Sequence, residues 1–584
     1  MKDVRNLLAT LTLADTFNSN FWKRLNWFAL VRPSQDVLPV RTTYHPDSYN
    51  IGLNYLTSEQ PIWFSGPDVV ASLLLTGKVP EILRAFRIIP EGEQEGLKPI
   101  LFRREISIDP RKADFFKAVI EAKEVAKHKK KESLAYSLKI LASATSYGLF
   151  VEVNPSRTNH GKKIEVFCGD EQFPCSAEIV EAKGRWYFPP TASLITAGGR
   201  LLLAMLERSV ADAGGTYLFA DTDSMGIVAK EKGGFVPCIG GPHRLDSGIE
   251  AVKALSFSDV REIVKKFEEI NPYNRKLVPQ VLKIEKMQSG LCGYAISTKR
   301  YVLYSRTIDG VKVEKASEHG LGYLYPPKAG FNESADAPEW IVELWEYILH
   351  DAESLAPKIP SWFDDPAMMR LTVTTPQVLK PLLRLQRRVP FRDRTKPYNF
   401  VLVPILNRFL LAARGKPITL ITPFTTDLRK LRQQKWVNIH DGKVYSELPV
   451  PAATFRDIVE EFRIHRENKS RAPDGNPCDF RTRGLLQRTH IEAVGVIAHG
   501  KETDRQWQQG EDISLLFPEL PVYRRNETAR KAQDPALAKK VRQMSIRALA
   551  RKTGFSTRTI RAARSGKRLR KSTILKLEKA LSDT

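Results

Sequence analysis

The chain has 584 residues, 42% of them hydrophobic, which supplies apolar material for several globular cores and excludes a disordered chain. Its formal net charge of +25, from 91 Lys and Arg against 66 Asp and Glu, predicts a polyanionic partner held by salt-sensitive contacts. The five cysteines (Cys168, Cys175, Cys238, Cys292 and Cys478) show no CxxC spacing, so neither a zinc site nor a disulfide framework is expected.

In chain order, Lys2, Asp3 and Arg5 precede only a broken apolar run, so no signal peptide is expected. No uninterrupted apolar stretch reaches membrane-spanning length, which predicts a soluble, cytoplasmic protein without a membrane partner. A turn-rich entry, Pro61 to Pro67, leads into a helix around Asp68–Leu75. The run from Phe115 to Lys131 is helical and places Lys123 and Lys127 four residues apart on one face, which unaided reads as a solvated face. A second helix follows around Leu134, Leu138 and Leu141, closed by Tyr147-Gly148. Val151–Pro190 reads as strands and hairpins, and Thr191–Ala213 as a long helix.

Tyr217-Leu-Phe-Ala-Asp-Thr-Asp-Ser224 then sets Asp221 and Asp223 two residues apart behind a buried strand. In extended chain such residues share a face. Two carboxylates held together repel each other, and a hard divalent cation such as Mg²⁺ removes that cost. An ordinary hairpin turn uses the same residue types. Ser256–Ile270 is an amphipathic helix, Val281–Tyr304 reads as further strands, and Glu339–His350 is a helix whose Trp340, Trp345 and Tyr347 read as core.

Together these segments resemble a family B DNA polymerase of viral or organellar type. Asp221-Thr-Asp-Ser224 resembles motif C (YxDTDS), and Lys139 to Gly148 resembles motif B (KxxxNSxYG). Ala192 to Arg200 resembles the ITAxGR helix entry, and Lys299-Arg-Tyr301 the KxY motif. Four motifs in the right order are more specific than any one alone. The resemblance implies an α/β (α+β) right-hand fold: a partial palm or insertion region (1–115), fingers helices (116–150), a palm with motif C and KxY (151–330), and a helical thumb-like region (331–530) with the arginine-rich stretch Arg384–Arg394.

It implies two-metal transfer of dNTPs to a primer, with Mg²⁺ or Mn²⁺ as cofactor and a DNA primer–template as partner. Asp223 would be the direct metal ligand and Asp221 the secondary one. Lys123, Lys127 and Lys139 would neutralise the triphosphate. Tyr147 and Gly148 would lie beneath the incoming base, and Lys299 and Tyr301 would hold the primer strand or minor groove.

Two departures qualify the likeness. Lys139 stands eight residues before Tyr147, where the pattern has seven, and one extra residue turns a helix face by about 100°. A π-bulge would absorb it; otherwise Lys123 or Lys127 takes the triphosphate. Motif A (DxxSxYPS) is absent, as is the exonuclease, and Asp15 and Asp47 are only loose substitutes. The expectation is a chain that starts downstream of motif A. A second polypeptide carrying motif A, a degenerate DNA-binding copy and a misassigned start codon remain the three explanations. A split or truncated polymerase is favoured because the later motifs stay in register. The setting expected is nucleoid-associated, encoded by a mobile element or phage.

Pro535–Thr584 holds fifteen Lys or Arg against two acids, about half of the charge surplus. It reads as a helix-turn-helix (535–584) with a core of Ile546, Leu549, Ala550, Phe555 and Ile560, and a third helix from Ser572. Thr557, Arg558 and Arg561 would face the major groove, while Arg564, Lys567, Arg568, Arg570 and Lys571 would meet phosphates. The competing readings are a catalytically inactive, polymerase-derived DNA-binding protein and a transcriptional regulator dominated by this tail.

Overall fold

The computed structural model describes residues 2–41, 51–92, 96–146, 148–168, 171–238, 241–297, 299–328, 330–372, 376–390, 392, 400–405, 418–425, 428–449, 451–463, 490–492 and 531–532, together with 549, 553, 555, 557–564, 569–570, 577 and 581. The chain divides into two compact units, Met1–Thr503 and Asp504–Thr584, a boundary earlier than the expected one near residue 530. The class is mixed α and β.

The first unit is organised by one large core. Strand Trp27–Arg32 is flanked by the antiparallel strands Ile62–Ser65 and Glu81–Arg87. Its inner residues Trp27, Ala29 and Val31 pack with Val69, Val70 and Leu74 of helix Gly66–Thr76 and with Leu201, Ala204 and Met205 of helix Pro189–Asp212. Two prolines start that long helix, where a missing N–H costs nothing. Helix Phe257–Lys266 begins with a capping box between Ser256 and Asp259 and adds Val260 and Ile263 to the same core.

One charged link crosses this core. Arg200, the last residue of the ITAxGR-like run, donates from Nε to Asp68 Oδ1 at 2.6 Å and from Nη2 to Oδ2 at 3.0 Å. The Ser65 hydroxyl donates to the same carboxylate at 2.7 Å. Asp68 is buried, so the two-pronged pairing and the hydroxyl meet the need that burial creates.

Helices Phe115–His128 and Glu132–Ser146 form a second core through Val119, Ala126, Leu134, Ala135 and Leu138. With the 3₁₀ turn after it, the run Glu132–Val151 has the length and apolarity of a membrane span, which the sequence reading had not found. Leu134, Ala135 and Leu138 of this run pack on the partner helix, whereas Tyr136, Ile140 and Val151 are exposed. Residues 153–168 and 171–183 form a long antiparallel hairpin.

Beyond residue 330, Trp340 and Trp345 are buried, and Phe455 and Phe462 meet them edge-on. They are core, as the helical spacing implied. The expected helical thumb is too narrow a description of this region. Its described part is built on a five-stranded antiparallel sheet, in the order Met368–Thr372, Phe400–Pro404, Leu420–Pro423, Trp436–Asn438 and Val444–Tyr445. A second correction concerns 281–290, which forms no strand; the ladder starts at Leu291. The charged residues between the apolar ones there reach outward instead: Lys283 to Glu124 at 3.6 Å, Glu285 to Lys315 at 3.0 Å, and Lys286 to the Glu314 carbonyl.

In the second unit, helix Thr557–Arg564 buries Ile560 and Ala563, and Leu549, Thr553 and Leu577 are also buried. Phe555 is half-buried; Ile546, Ala550, Lys567, Arg568 and Lys571 lie outside the described residues. Leu577 and Leu581 are helical, where the third helix was expected. Arg570 lies in a two-residue strand paired with Lys531–Ala532, which the sequence did not suggest.

Candidate active site

The acidic peptide forms a tight hairpin. Strand Tyr217–Asp221 pairs antiparallel with Ser224–Ile227, Asp221 facing Ser224, so Thr222 and Asp223 alone make the turn. Thr222 sits at φ +54, a left-handed conformation that a β-branched residue adopts at a cost. The turn is pinned from within. The Asp223 N–H donates to the Asp221 carbonyl at 2.6 Å, the Thr222 hydroxyl to Asp221 Oδ1 at 2.9 Å, and the Ser224 hydroxyl to the Asp221 carbonyl at 3.2 Å.

This corrects the same-face expectation. The chain between the two carboxylates is a turn rather than extended strand, so strand alternation does not align them. Asp223 is exposed and Asp221 half-buried.

The KxY-like residues meet this hairpin. Lys299 Nζ lies 3.4 Å from Asp221 Oδ1. The Tyr301 ring stacks on Phe219 with centroids 3.7 Å apart and planes at 16°. Two glycines permit the approach. A Cβ on Gly226 would stand 2.6 Å from the Phe219 ring, and one on Gly293 would stand 2.5 Å from Leu218. Burial pushes the Tyr301 phenol up, Lys315 opposes this, and Asp221 and Glu285 add to the rise, so its hydroxyl stays a donor.

Ser317, which sequence reasoning missed, holds this strand: its hydroxyl donates to the Lys299 carbonyl, and its N–H to the Tyr301 carbonyl at 3.0 Å. The Ser317 carbonyl in turn accepts from Trp345 Nε1 at 3.0 Å, which links the site to the aromatic core.

The expected triphosphate lysines are already partnered. Lys123 and Lys127 lie 3.1 and 3.4 Å from Glu124 Oε1. Burial pushes the Glu124 carboxyl up, but the hydrogen bond and charge of Lys123, with Lys283 and Lys127, hold it below its usual value. Lys139 is exposed on a helix that stays α-helical around it, so no π-bulge absorbs the extra residue at that point. Gly148 opens the 3₁₀ turn, and Tyr147 lies outside the described residues.

No known family, curated protein or solved structure matches this chain.

Of the two substitutes for the missing aspartate, Asp15 is occupied as a helix cap. It accepts from the Thr12 N–H at 2.8 Å and the Thr12 hydroxyl at 2.6 Å, and those bonds lower its pKa. Asp47 lies outside the described residues. Among the described residues no group of three or more His, Cys, Asp or Glu stands ready to hold a metal ion. Cys238 and Cys292 are partly buried thiols whose pKa burial raises. In the tail, Arg561 is exposed on helix Thr557–Arg564, which also carries Thr557, Arg558 and Arg564.

Proposed function

We propose that this chain is a family B-like DNA-directed DNA polymerase subunit or fragment, which transfers dNTPs to a primer by two-metal chemistry and receives a further carboxylate from another polypeptide. The observation that carries this reading is the packing of Lys299 and Tyr301 against Asp221 and Phe219. Two sequence segments that the resemblance assigns to one catalytic centre are neighbours in space. Asp223, exposed at the tip of the turn, would be the direct ligand for Mg²⁺ or Mn²⁺, and the half-buried Asp221 the secondary one.

When bound, such metals would supply charge that stabilises the attacking and leaving oxygens. The protein's own part is to place charge. Lys299 exchanges its contact with Asp221 for one with the primer backbone, and the Tyr301 hydroxyl donates into the minor groove.

The test is primer extension with Mg²⁺ and with Mn²⁺, for the chain alone and with a polypeptide carrying a DxxSxYPS segment. Extension that needs the added polypeptide and disappears in Asp221→Ala/Asp223→Ala supports the reading. Extension undiminished in the double variant overturns it.

A second reading is a catalytically inactive, polymerase-derived DNA-binding or regulatory protein. It is favoured by Lys299 standing where a cation would neutralise Asp221, and by the lack of a third acid among the described residues. It predicts salt-sensitive DNA binding with no incorporation under any of these conditions.

A further inference from the structure

Three ammonium groups from two separate segments converge on one carboxylate. Lys123 and Lys127 share Glu124 Oε1, at 3.1 and 3.4 Å, and Lys283 lies 3.6 Å from Oε2. The two segments are also joined without these lysines, because the Asn274 N–H donates to Glu121 Oε1 at 2.7 Å. Glu124 is buried, whereas the side chains of Lys127 and Lys283 are 54% and 55% exposed, so solvent and solutes reach the ammoniums but not their anchor.

One cation would neutralise a buried carboxylate. A second and a third repel each other, and the cluster keeps a surplus of two positive charges. Each ammonium has three donors; Lys123 and Lys127 each spend one on Glu124, while Lys283 is held to it by charge alone. The surplus of charge and donors matches an anion with several oxygens and more than one charge.

We propose that Lys283 joins Lys123 and Lys127 in one polyphosphate-binding cluster, with Glu124 as the internal counter-ion that holds the three together in the absence of ligand. The ligand class is the triphosphate of a nucleoside triphosphate. That identity rests on the polymerase reading, whereas the cluster itself rests on the ion geometry. Lys283 is the member that the sequence could not supply, since it comes from a segment outside both lysine-rich helices.

The experiment titrates inorganic triphosphate, and separately dATP, into the full chain by calorimetry without divalent metal. It compares wild type with Lys123→Gln, Lys283→Gln and Lys283→Arg, and thermal unfolding confirms that each variant folds. The expected result is binding weakened about tenfold or more by either Gln substitution, the scale of one charge-assisted interaction, and restored by Lys283→Arg. Lys283→Gln that binds like wild type while Lys123→Gln is weakened overturns the role of Lys283. Binding unchanged in every variant overturns the cluster. Primer extension in the presence of a polypeptide carrying a DxxSxYPS segment separates this from the broader reading: triphosphate binding through Lys283 without incorporation even then ends the polymerase and keeps the cluster, and incorporation untouched by Lys283→Gln does the reverse.

Discussion

At the scale of single residues, the site depends on side chains that are small or strained. Gly226 lets the Phe219 ring lie flat enough to stack on Tyr301. Gly226→Ala forces the ring off the new Cβ, because an atom 2.6 Å away cannot be accommodated in place. The expected cost is about 1–3 kcal/mol of stability, read from denaturant unfolding, together with a weaker grip on primer–template DNA. Lys299 gives a second prediction. It is a half-exposed partner of Asp221, so the pair contributes at most about 1 kcal/mol. Lys299→Met removes a competing cation, and Mn²⁺ binding followed by electron paramagnetic resonance should tighten by up to about fivefold. Unchanged or weaker binding would show that Lys299 does not contend with metal for Asp221. Asp221 and Asp223 were legible because their motif is short and local. Glu124 was not, because beside Lys123 it reads as one more surface charge, and only folding reveals that it is buried and that Lys283 reaches it.

At the scale of elements, periodicity and capping carried the reading far. The long helix at Pro189–Asp212, the capped helix after Ser256 and the acidic hairpin stand where apolar spacing put them. The reading failed where alternation has another use. In 281–290 the charged positions make long-range ion pairs instead of lining a strand, and no local pattern distinguishes the two. The five-stranded sheet beyond residue 366 was missed for a related reason: its strands are short and separated by long connections. The lysine helix and the 271–283 segment are joined through Glu121 and Glu124, and the Glu124 link makes their union pH-dependent. The folded-state pKa of Glu124 lies below its unfolded value, so its contribution is complete above about pH 4.3 and is lost as pH falls through the depressed value. Glu124→Gln should flatten the acid limb of the stability profile measured by thermal unfolding, with little change in its slope above that limb.

At the scale of the whole molecule, the charge is divided between two compact units. In the first unit, the order of motifs put Asp221 and Lys299 in one expected site, and the two are neighbours; among the described residues no third acid joins them in a metal-binding group. In the second unit, the expected helix after Ser556 is present as Thr557–Arg564, while the pairing of Lys531–Ala532 with Leu569–Arg570 had no sequence signal. Leu549, Ile560, Ala563 and Leu577 close its core and leave Arg561 exposed. If the helix Thr557–Arg564 enters a major groove, its arginines divide into two classes that one experiment separates. Arg564→Ala removes a phosphate contact, so the slope of log K against log salt for the full chain on duplex DNA should fall by about 0.9, equally on all sequences. Arg561→Ala removes a base contact, so the salt slope should stay nearly fixed while discrimination at one base pair drops by about 1–3 kcal/mol. Slopes that fall equally for both substitutions, with no loss of discrimination for either, would make the tail a non-specific electrostatic tether. The surplus charge of the tail would then serve only to hold the first unit near DNA.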